Sequence, residues 1–336
     1  MNALEKPDAQ AFRNCLTELR QSVWLDKPRR WWVDFAFHHT HIENAVKILK
    51  AGFLLSRSEI QKSGTFTDSA SQQVIQQTTE DRKRYVRFYF RPRTPTFYHC
   101  EGIRPINHYS LDAHCPVPVY LLFDLEKLIC RADSHFTQGN LASAGTTILS
   151  TAQDFNNLPF TKIYHDSSFT SEDRDAIIFH RHAEIIVPRK VDLNLLKGIW
   201  CRSQAEYDTL RYLLADDWDV WQNKVAVSGD YSLFKCQWLY VDKAELSLQR
   251  ISLYCHQPYE NVDQGPFALE IKILETSTGL YYSAKFPDYR FDSDENCIIG
   301  VKLGTLTAPE NYRVRFYVDD ILAYAGQFND ADDIPF

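Results

Sequence analysis

The spacing of apolar positions changes character along the chain. Near the N-terminus Phe12, Cys15, Leu16, Leu19 and Val23 recur at helical spacing behind Asp8, which can cap the first turn. Phe35 to Phe37 reads as a short strand, and Ile42 to Leu49 as a helix stopped by Gly52. Val117 to Phe123 predicts a strand and Leu141 to Leu149 a helix. Asp173 to Phe179 predicts a short element ahead of the apolar run Ala183-Glu184-Ile185-Ile186-Val187. Ser203 caps a helix reaching Leu214, with Glu206 at its third position. From about residue 225 a period of two takes over, in Phe234–Tyr240, Leu246–Tyr254, Ala268–Leu274, Tyr281–Phe286, Tyr312–Val318 and Ile321–Phe328. Pro, Gly, Asn and Asp clusters separate these runs, which predicts an antiparallel β-sandwich or jelly roll.

A length of 336 residues suggests two domains. The expected division is a helical extension at 1–30, a mixed α+β domain at 31–222 opened by Trp31-Trp32 as core aromatics, and a β-sandwich at 225–336. Residues 56 to 84 are polar, rich in Ser, Thr and Gln, and read as a long functional loop.

Charge sharpens the division. Residues 1–222 hold 27 Lys/Arg and 27 Asp/Glu, whereas residues 223–336 hold 10 and 17, which is the whole net charge of −7. Phosphate contacts need cations, so a polynucleotide is expected on the N-terminal half. No apolar run approaches the length needed to cross a bilayer, and the N-terminus lacks a secretory pattern. Eight cysteines stand singly with no Cys-x-x-Cys pair, which argues against zinc and against a disulfide framework. The expected location is cytoplasmic, with no membrane partner. No G-x-G-x-x-G, Walker or G-x-S-x-G segment occurs, which disfavours a Rossmann dehydrogenase, a P-loop ATPase and an α/β-hydrolase.

Three places carry candidate chemistry. In Tyr85-Val-Arg-Phe-Tyr-Phe-Arg-Pro-Arg-Thr-Pro-Thr-Phe-Tyr98 aromatic residues interleave with arginines, and six basic residues lie between Arg82 and Arg93. Rings that stack on bases beside cations that meet phosphates suit single-stranded nucleic acid or a dinucleotide; the alternative is a half-buried strand with a solvated basic face. Phe37-His-His-Thr-His-Ile-Glu-Asn44 places three histidines in four residues. On a strand end His38, His39 and His41 cannot all face one ion, and no Cys or acidic ligand sits at metal spacing, so no metal is expected. The imidazoles and Thr40 suit sugar hydroxyls or an amide, or His41 caps the following helix. Glu184 is a carboxylate inside an apolar strand, where it must find partners, lie on an exposed edge, or serve chemistry.

The order of four segments, the His38-His-Thr-His41 stretch with its helix to Gly52, the Tyr85–Pro95 stretch, Gly139-Asn140 and Ala183-Glu184-Ile-Ile-Val187, resembles the DarT family of toxin ADP-ribosyltransferases across roughly residues 35 to 200. The resemblance implies an α+β ADP-ribosyltransferase domain with a central split antiparallel sheet. It implies NAD as co-substrate, no metal, and transfer of ADP-ribose to a nucleobase in single-stranded DNA or RNA. It also implies an antitoxin partner; the acidity and β-pattern of the C-terminal domain suit a surface for an antitoxin, a phage protein or a second copy of the chain, the alternative being that it only shields an apolar face of the catalytic domain. Residue by residue it makes Glu184 catalytic, where an anion would steady an oxocarbenium-like centre. His38, His39, Thr40 and Leu55 would contact NAD, Tyr89 and Phe90 would form an aromatic floor, and Arg93 would pair with the pyrophosphate. Asn140 would open the substrate-facing loop, and His41, Arg84 and His182 would meet substrate. The family's loop arginine has no counterpart at its spacing, so Arg57, Arg82 and Arg84 stand as candidates, and Thr96 stands where Met is common. A non-catalytic nucleic-acid-binding module of the same fold, or transfer to protein, are the alternative functions.

Overall fold

The computed structural model describes residues 4–63, 79–105, 108, 113–143, 145–229 and 233–330. Two compact units interleave along the chain: the described residues of Met1–Thr40, Lys47–His99 and Tyr120–Trp200 form one, those of His41–Val46, Cys100–Val119 and Cys201–Phe336 the other.

The first unit is built on eight strands: β1 (Phe35–His41), β2 (Phe53–Leu55), β3 (Tyr85–Tyr89), β4 (Pro118–Asp124), β5 (His135–Phe136), β6 (Glu184–Pro188), β7 (Lys190–Asp192) and β8 (Leu196–Cys201). Six of them lie side by side in the order β5-β6-β3-β1-β4-β8, and β2 pairs separately with β7. β4 is buried from Pro118 through Phe123, the pattern of a strand covered on both faces. β3 instead alternates, with Val86 and Phe88 buried and Tyr85, Arg87 and Tyr89 half-buried, so one of its faces is left open. β1 pairs antiparallel with β3, Phe37 opposite Tyr89, and β3 with β6, Tyr89 opposite Glu184. Phe37, Tyr89 and Glu184 therefore form one row across three strands.

Helix Ala9–Gln21 belongs to this unit's core, where Phe12 packs against Phe136 and Phe155. Asp8 does not cap that helix with its side chain; its carboxylate accepts from the Ala152 N–H at 2.7 Å. The helix ends at Gln21, which leaves Val23 outside it and 97 % exposed. Gly52 stops helix Ile42–Ala51 with a φ of 76°, a left-handed conformation open to glycine. The described part of 141–149 is turns and loop where a helix was expected. Of the polar loop expected at 56–84, residues 64–78 lie outside the described set; Arg57–Ser63 and Glu80–Lys83 are helical.

The second unit contains β9 (Val225–Val227), β10 (Tyr240–Leu246), β11 (Arg250–His256), β12 (Phe267–Glu275), β13 (Tyr281–Tyr289), β14 (Ile298–Lys302), β15 (Asn311–Val318) and β16 (Ile321–Asn329). A three-stranded sheet β10-β11-β14 and a four-stranded sheet β13-β12-β15-β16 are antiparallel throughout. Leu253 and Ile299 of the first and Ile271 and Phe316 of the second share one buried cluster, which makes a sandwich. Of the expected Phe234–Tyr240 run only Tyr240 is in a strand, while β14 carries no alternation strong enough to stand out in the sequence. Ser203 caps helix Gln204–Leu214, its hydroxyl accepting from the Glu206 N–H at 3.2 Å. Ile103 and Ala205 join the sandwich core, so the packing boundary does not follow the chain boundary expected at 222–225. Nearby, buried Arg202 pairs with Glu206 and with Glu101 at 3.4 Å, and Glu101 also accepts from the Lys235 and Cys236 N–H groups.

Candidate active site

Glu184 opens β6 and is only 1 % exposed. Its backbone is clamped by Thr137: the Thr137 N–H donates to the Glu184 carbonyl at 2.8 Å, and the Glu184 N–H donates to the Thr137 hydroxyl at 3.2 Å. That hydroxyl in turn donates to the Gly139 carbonyl at 2.6 Å. A Cβ on Gly139 would meet the Phe179 ring at 2.4 Å, so the turn that brings the chain past Glu184 needs glycine for its close approach.

The carboxylate has two polar neighbours. The Leu141 N–H donates to Oε2 at 3.1 Å, and Arg87 Nη1 lies 3.9 Å from Oε1. Burial raises the carboxyl pKa to about 7, against the opposing pull of the Arg87 charge and the Leu141 N–H. A carboxylate poised near neutrality can accept a proton or stand as an anion.

The described residues of 140–146 present Leu141 and are themselves tied down. Asn140 Oδ1 accepts from the Ala142 N–H at 2.8 Å, and its carbonyl accepts from the Thr146 hydroxyl at 2.7 Å. Arg82 reaches over from the far side, donating to the carbonyls of Leu141 at 2.6 Å, Ser143 at 2.8 Å and Thr146 at 3.2 Å. Asn140 and Arg82 thus both shape this loop, Asn140 from its first position and Arg82 through three of its carbonyls. Arg84 is exposed, with Asp81 at 3.7 Å, and borders a recess of about 700 Å³ shared with Arg82, Tyr85 and Ala142. Arg57 starts helix Arg57–Ser63, and Leu55 pairs with Lys190 on the two-stranded sheet.

Strand alternation sorts the histidines. His39 stacks on Tyr89 with centroids 5.7 Å apart and rings 12° from parallel, on the side of the sheet that carries Glu184. Its Nδ1 is buried and has no hydrogen bond among the described residues, and burial beside His38 lowers its pKa to about 3. His39 is a neutral imidazole with an open polar atom. His38 takes the other side, against Phe88, and its Nδ1–H donates to the Arg87 carbonyl at 3.0 Å. Thr40 is buried, and His41 Nδ1 accepts from the Glu43 N–H at 3.3 Å, the helix-capping alternative. Among the described residues no three potential metal ligands converge.

Phe90 is fully buried against Phe155 and Phe160, which takes it out of the expected aromatic floor. The alternation of β3 carries on to this position, with Val86, Phe88 and Phe90 buried in turn. His182 lies outside β6, and its Nδ1–H donates to the Ile178 carbonyl at 2.9 Å. Arg93 has a left-handed φ of 54°, held by its N–H on the Tyr120 hydroxyl at 3.1 Å. Its Nη1 lies 3.4 Å from Asp166, and its Nε is buried with no hydrogen bond among the described residues. Arg91 pairs with the same Asp166 and Arg181 with the His165 carbonyl at 2.8 Å, which gathers three guanidinium groups around one carboxylate.

Sequence reasoning missed Thr137, Leu141 and the position of Arg87. The first two act through backbone groups that any residue carries, and the third depends on strand register.

A family model described as "ssDNA thymidine ADP-ribosyltransferase, DarT" matches residues 37–232. None of the curated proteins compared with the chain matches it. Among solved structures, DarT from Thermus sp. 2.9 in complex with ADP-ribosylated ssDNA is 18 % identical with a TM-score of 0.48, over 59 % of this chain and 95 % of that one. The same protein in complex with NAD+ gives 18 % and 0.46, over 59 % and 96 %. Thermosipho africanus DarTG in complex with ADP-ribose gives 18 % and 0.45, over 64 % of this chain and 53 % of that one.

Proposed function

Because this chain belongs to the DarT family, and is therefore an ADP-ribosyltransferase that uses NAD to modify a nucleobase in single-stranded DNA, we propose that thymidine is its target and Glu184 its catalytic residue. The observation that carries this reading is the Glu184 carboxyl, buried, backbone-clamped and held near pH 7 beside a half-exposed aromatic and an arginine.

The residues present suit the dinucleotide. His39 offers a buried imidazole nitrogen with no hydrogen bond among the described residues beside the Tyr89 ring, and Arg93 a buried Nε of the same kind on a guanidinium that also meets Asp166, polar groups that match a ribose or amide and a pyrophosphate. NAD supplies an ADP-ribosyl group already activated by a cationic nicotinamide leaving group. Thymidine carries a single ring N–H, at N3. That proton passes to the Glu184 carboxylate, the N3–C1′ bond forms as the C1′–nicotinamide bond breaks, and nicotinamide departs neutral. A single strand exposes this edge, which pairing would cover.

The second unit is assigned to protein recognition, an antitoxin being the partner that a toxin of this type requires; its net charge of −7 over residues 223–336 suits a protein partner better than a polynucleotide. The site of action is the cytoplasm, where NAD and single-stranded DNA meet. The test is incubation with labelled NAD and matched single-stranded DNA, RNA and protein pools. Label on thymidine-containing DNA supports the reading, and label confined to RNA, protein or thymidine-free DNA contradicts it.

A further inference from the structure

Resting on the reading of Glu184 above, the geometry points to Arg87 as a second catalytic residue, one that donates hydrogen bonds to a carbonyl oxygen of the incoming base while Glu184 takes the neighbouring ring proton. Arg87 stands two residues before Tyr89 on β3, so both side chains lie on the face that carries Glu184 across the ladder. The 3.9 Å between Nη1 and Oε1 is too long for a hydrogen bond but close for opposite charges. Glu184 is 1 % exposed and Arg87 25 %, which puts the guanidinium on the solvent side of the carboxylate, where a base must enter.

Three other arginines near this end of the sheet have donors committed to the protein, whereas Arg93, whose Nε has no hydrogen bond among the described residues, lies on the Asp166 cluster and not beside Glu184. Arg82 serves three carbonyls, Arg91 serves the His165 carbonyl and Asp166, and Arg181 serves His165 and Ser167. The Arg87 guanidinium makes no hydrogen bond among the described residues, although its backbone is fixed by the β3–β6 ladder and by His38 on its carbonyl. It is a cation on a rigid stem with its fork of donors open.

That pairing selects a chemical pattern. In thymine the N3–H lies between two carbonyl groups, and loss of its proton spreads negative charge onto those oxygens. A guanidinium donating to one of them favours that charge, while the carboxylate accepts the proton. Guanine presents a ring N–H beside a carbonyl as well, whereas adenine and cytosine present no such pair. The site should therefore act on thymine, with guanine as the second choice, and leave adenine and cytosine alone.

The experiment compares wild type, Arg87→Gln and Arg87→Lys on oligonucleotides with a single T, G, A or C. It follows transfer rate against pH, NAD affinity, oligonucleotide binding without NAD, and the pH dependence of melting without NAD. Arg87→Gln should lose on the order of 100-fold in kcat while binding NAD within about threefold of wild type. Both its acid limb and its melting-versus-pH transition should move to higher pH as the carboxylate loses its cation. Arg87→Lys should recover part of the rate and none of the fork's base preference. An Arg87→Gln rate within threefold of wild type, or a pH limb that does not move, overturns the inference. Should Arg87→Gln fail to fold, Arg87→Lys with wild-type rate and preference overturns it equally. A wild type inactive on every oligonucleotide contradicts the thymidine reading instead, so the two failures are distinguishable.

Discussion

Arg82 donates to the Leu141 carbonyl at 2.6 Å, while the N–H of the same Leu141 donates to the Glu184 carboxylate at 3.1 Å. One peptide segment is thus held from behind by a guanidinium and presents its donor to the buried acid. Arg82→Ala should free loop 140–146, lower stability by about 1–3 kcal/mol and depress kcat, while NAD affinity stays near wild type. Steady-state kinetics together with limited proteolysis of the loop checks this; an unchanged kcat would show that Leu141 holds its place without Arg82.

A second expectation follows from the raised pKa of Glu184, about 7 against an ordinary 4.5. Folding binds this proton more tightly than the unfolded chain does. The contribution of the group to stability is full below the ordinary value and declines as pH rises toward 7. Glu184→Gln removes the titration and keeps an oxygen for the Leu141 N–H. Its melting temperature should pull ahead of wild type through that window, equivalent to about 1–3 kcal/mol at pH 8. A constant difference from pH 4 to 8 would mean that the carboxyl titrates normally.

Glu184 was legible because a carboxylate in an apolar strand is conspicuous, and the sandwich because its alternation is long and regular. The pairing of residues 87 and 184 was not legible, since it rests on the antiparallel register of β3 and β6, which no local pattern encodes. Arg82 looked like a phosphate ligand because sequence shows the charge and not the three carbonyls that occupy it. Phe90 was placed in the stacking floor by the family resemblance alone, although the alternation of β3, with Val86 and Phe88 buried, puts position 90 on the buried side.

The basic run before β3 should divide by role when DNA binding is measured against salt. Lys83 is paired with Glu80 at 2.7 Å and mostly covered, whereas Arg84 is exposed. Arg84→Ala should lower the log–log salt slope on single-stranded DNA by about 0.7, the value of one phosphate contact. Arg82→Ala should leave that slope unchanged. A drop of similar size in both would show Arg82 on the strand after all.

A chain ending at Asn223 leaves Ile103 and Ala205 without the β-strands that bury them, and Glu101 without the Lys235 and Cys236 N–H groups. Such a chain should melt far below the full protein or aggregate. A well-folded truncated protein that keeps transfer activity would show that the second unit is dispensable to the fold.

Single-turnover transfer at pH 8 to a single-stranded oligonucleotide with one thymidine, followed by intact mass, shows whether ADP-ribose passes from NAD to thymidine and whether Glu184 carries the step. Wild type should add one ADP-ribose to the thymine base, with an acid limb near pH 7, and Glu184→Gln should be slower by on the order of 100- to 1000-fold while still binding NAD. Modification of the oligonucleotide by Glu184→Gln at a rate close to wild type would contradict the account.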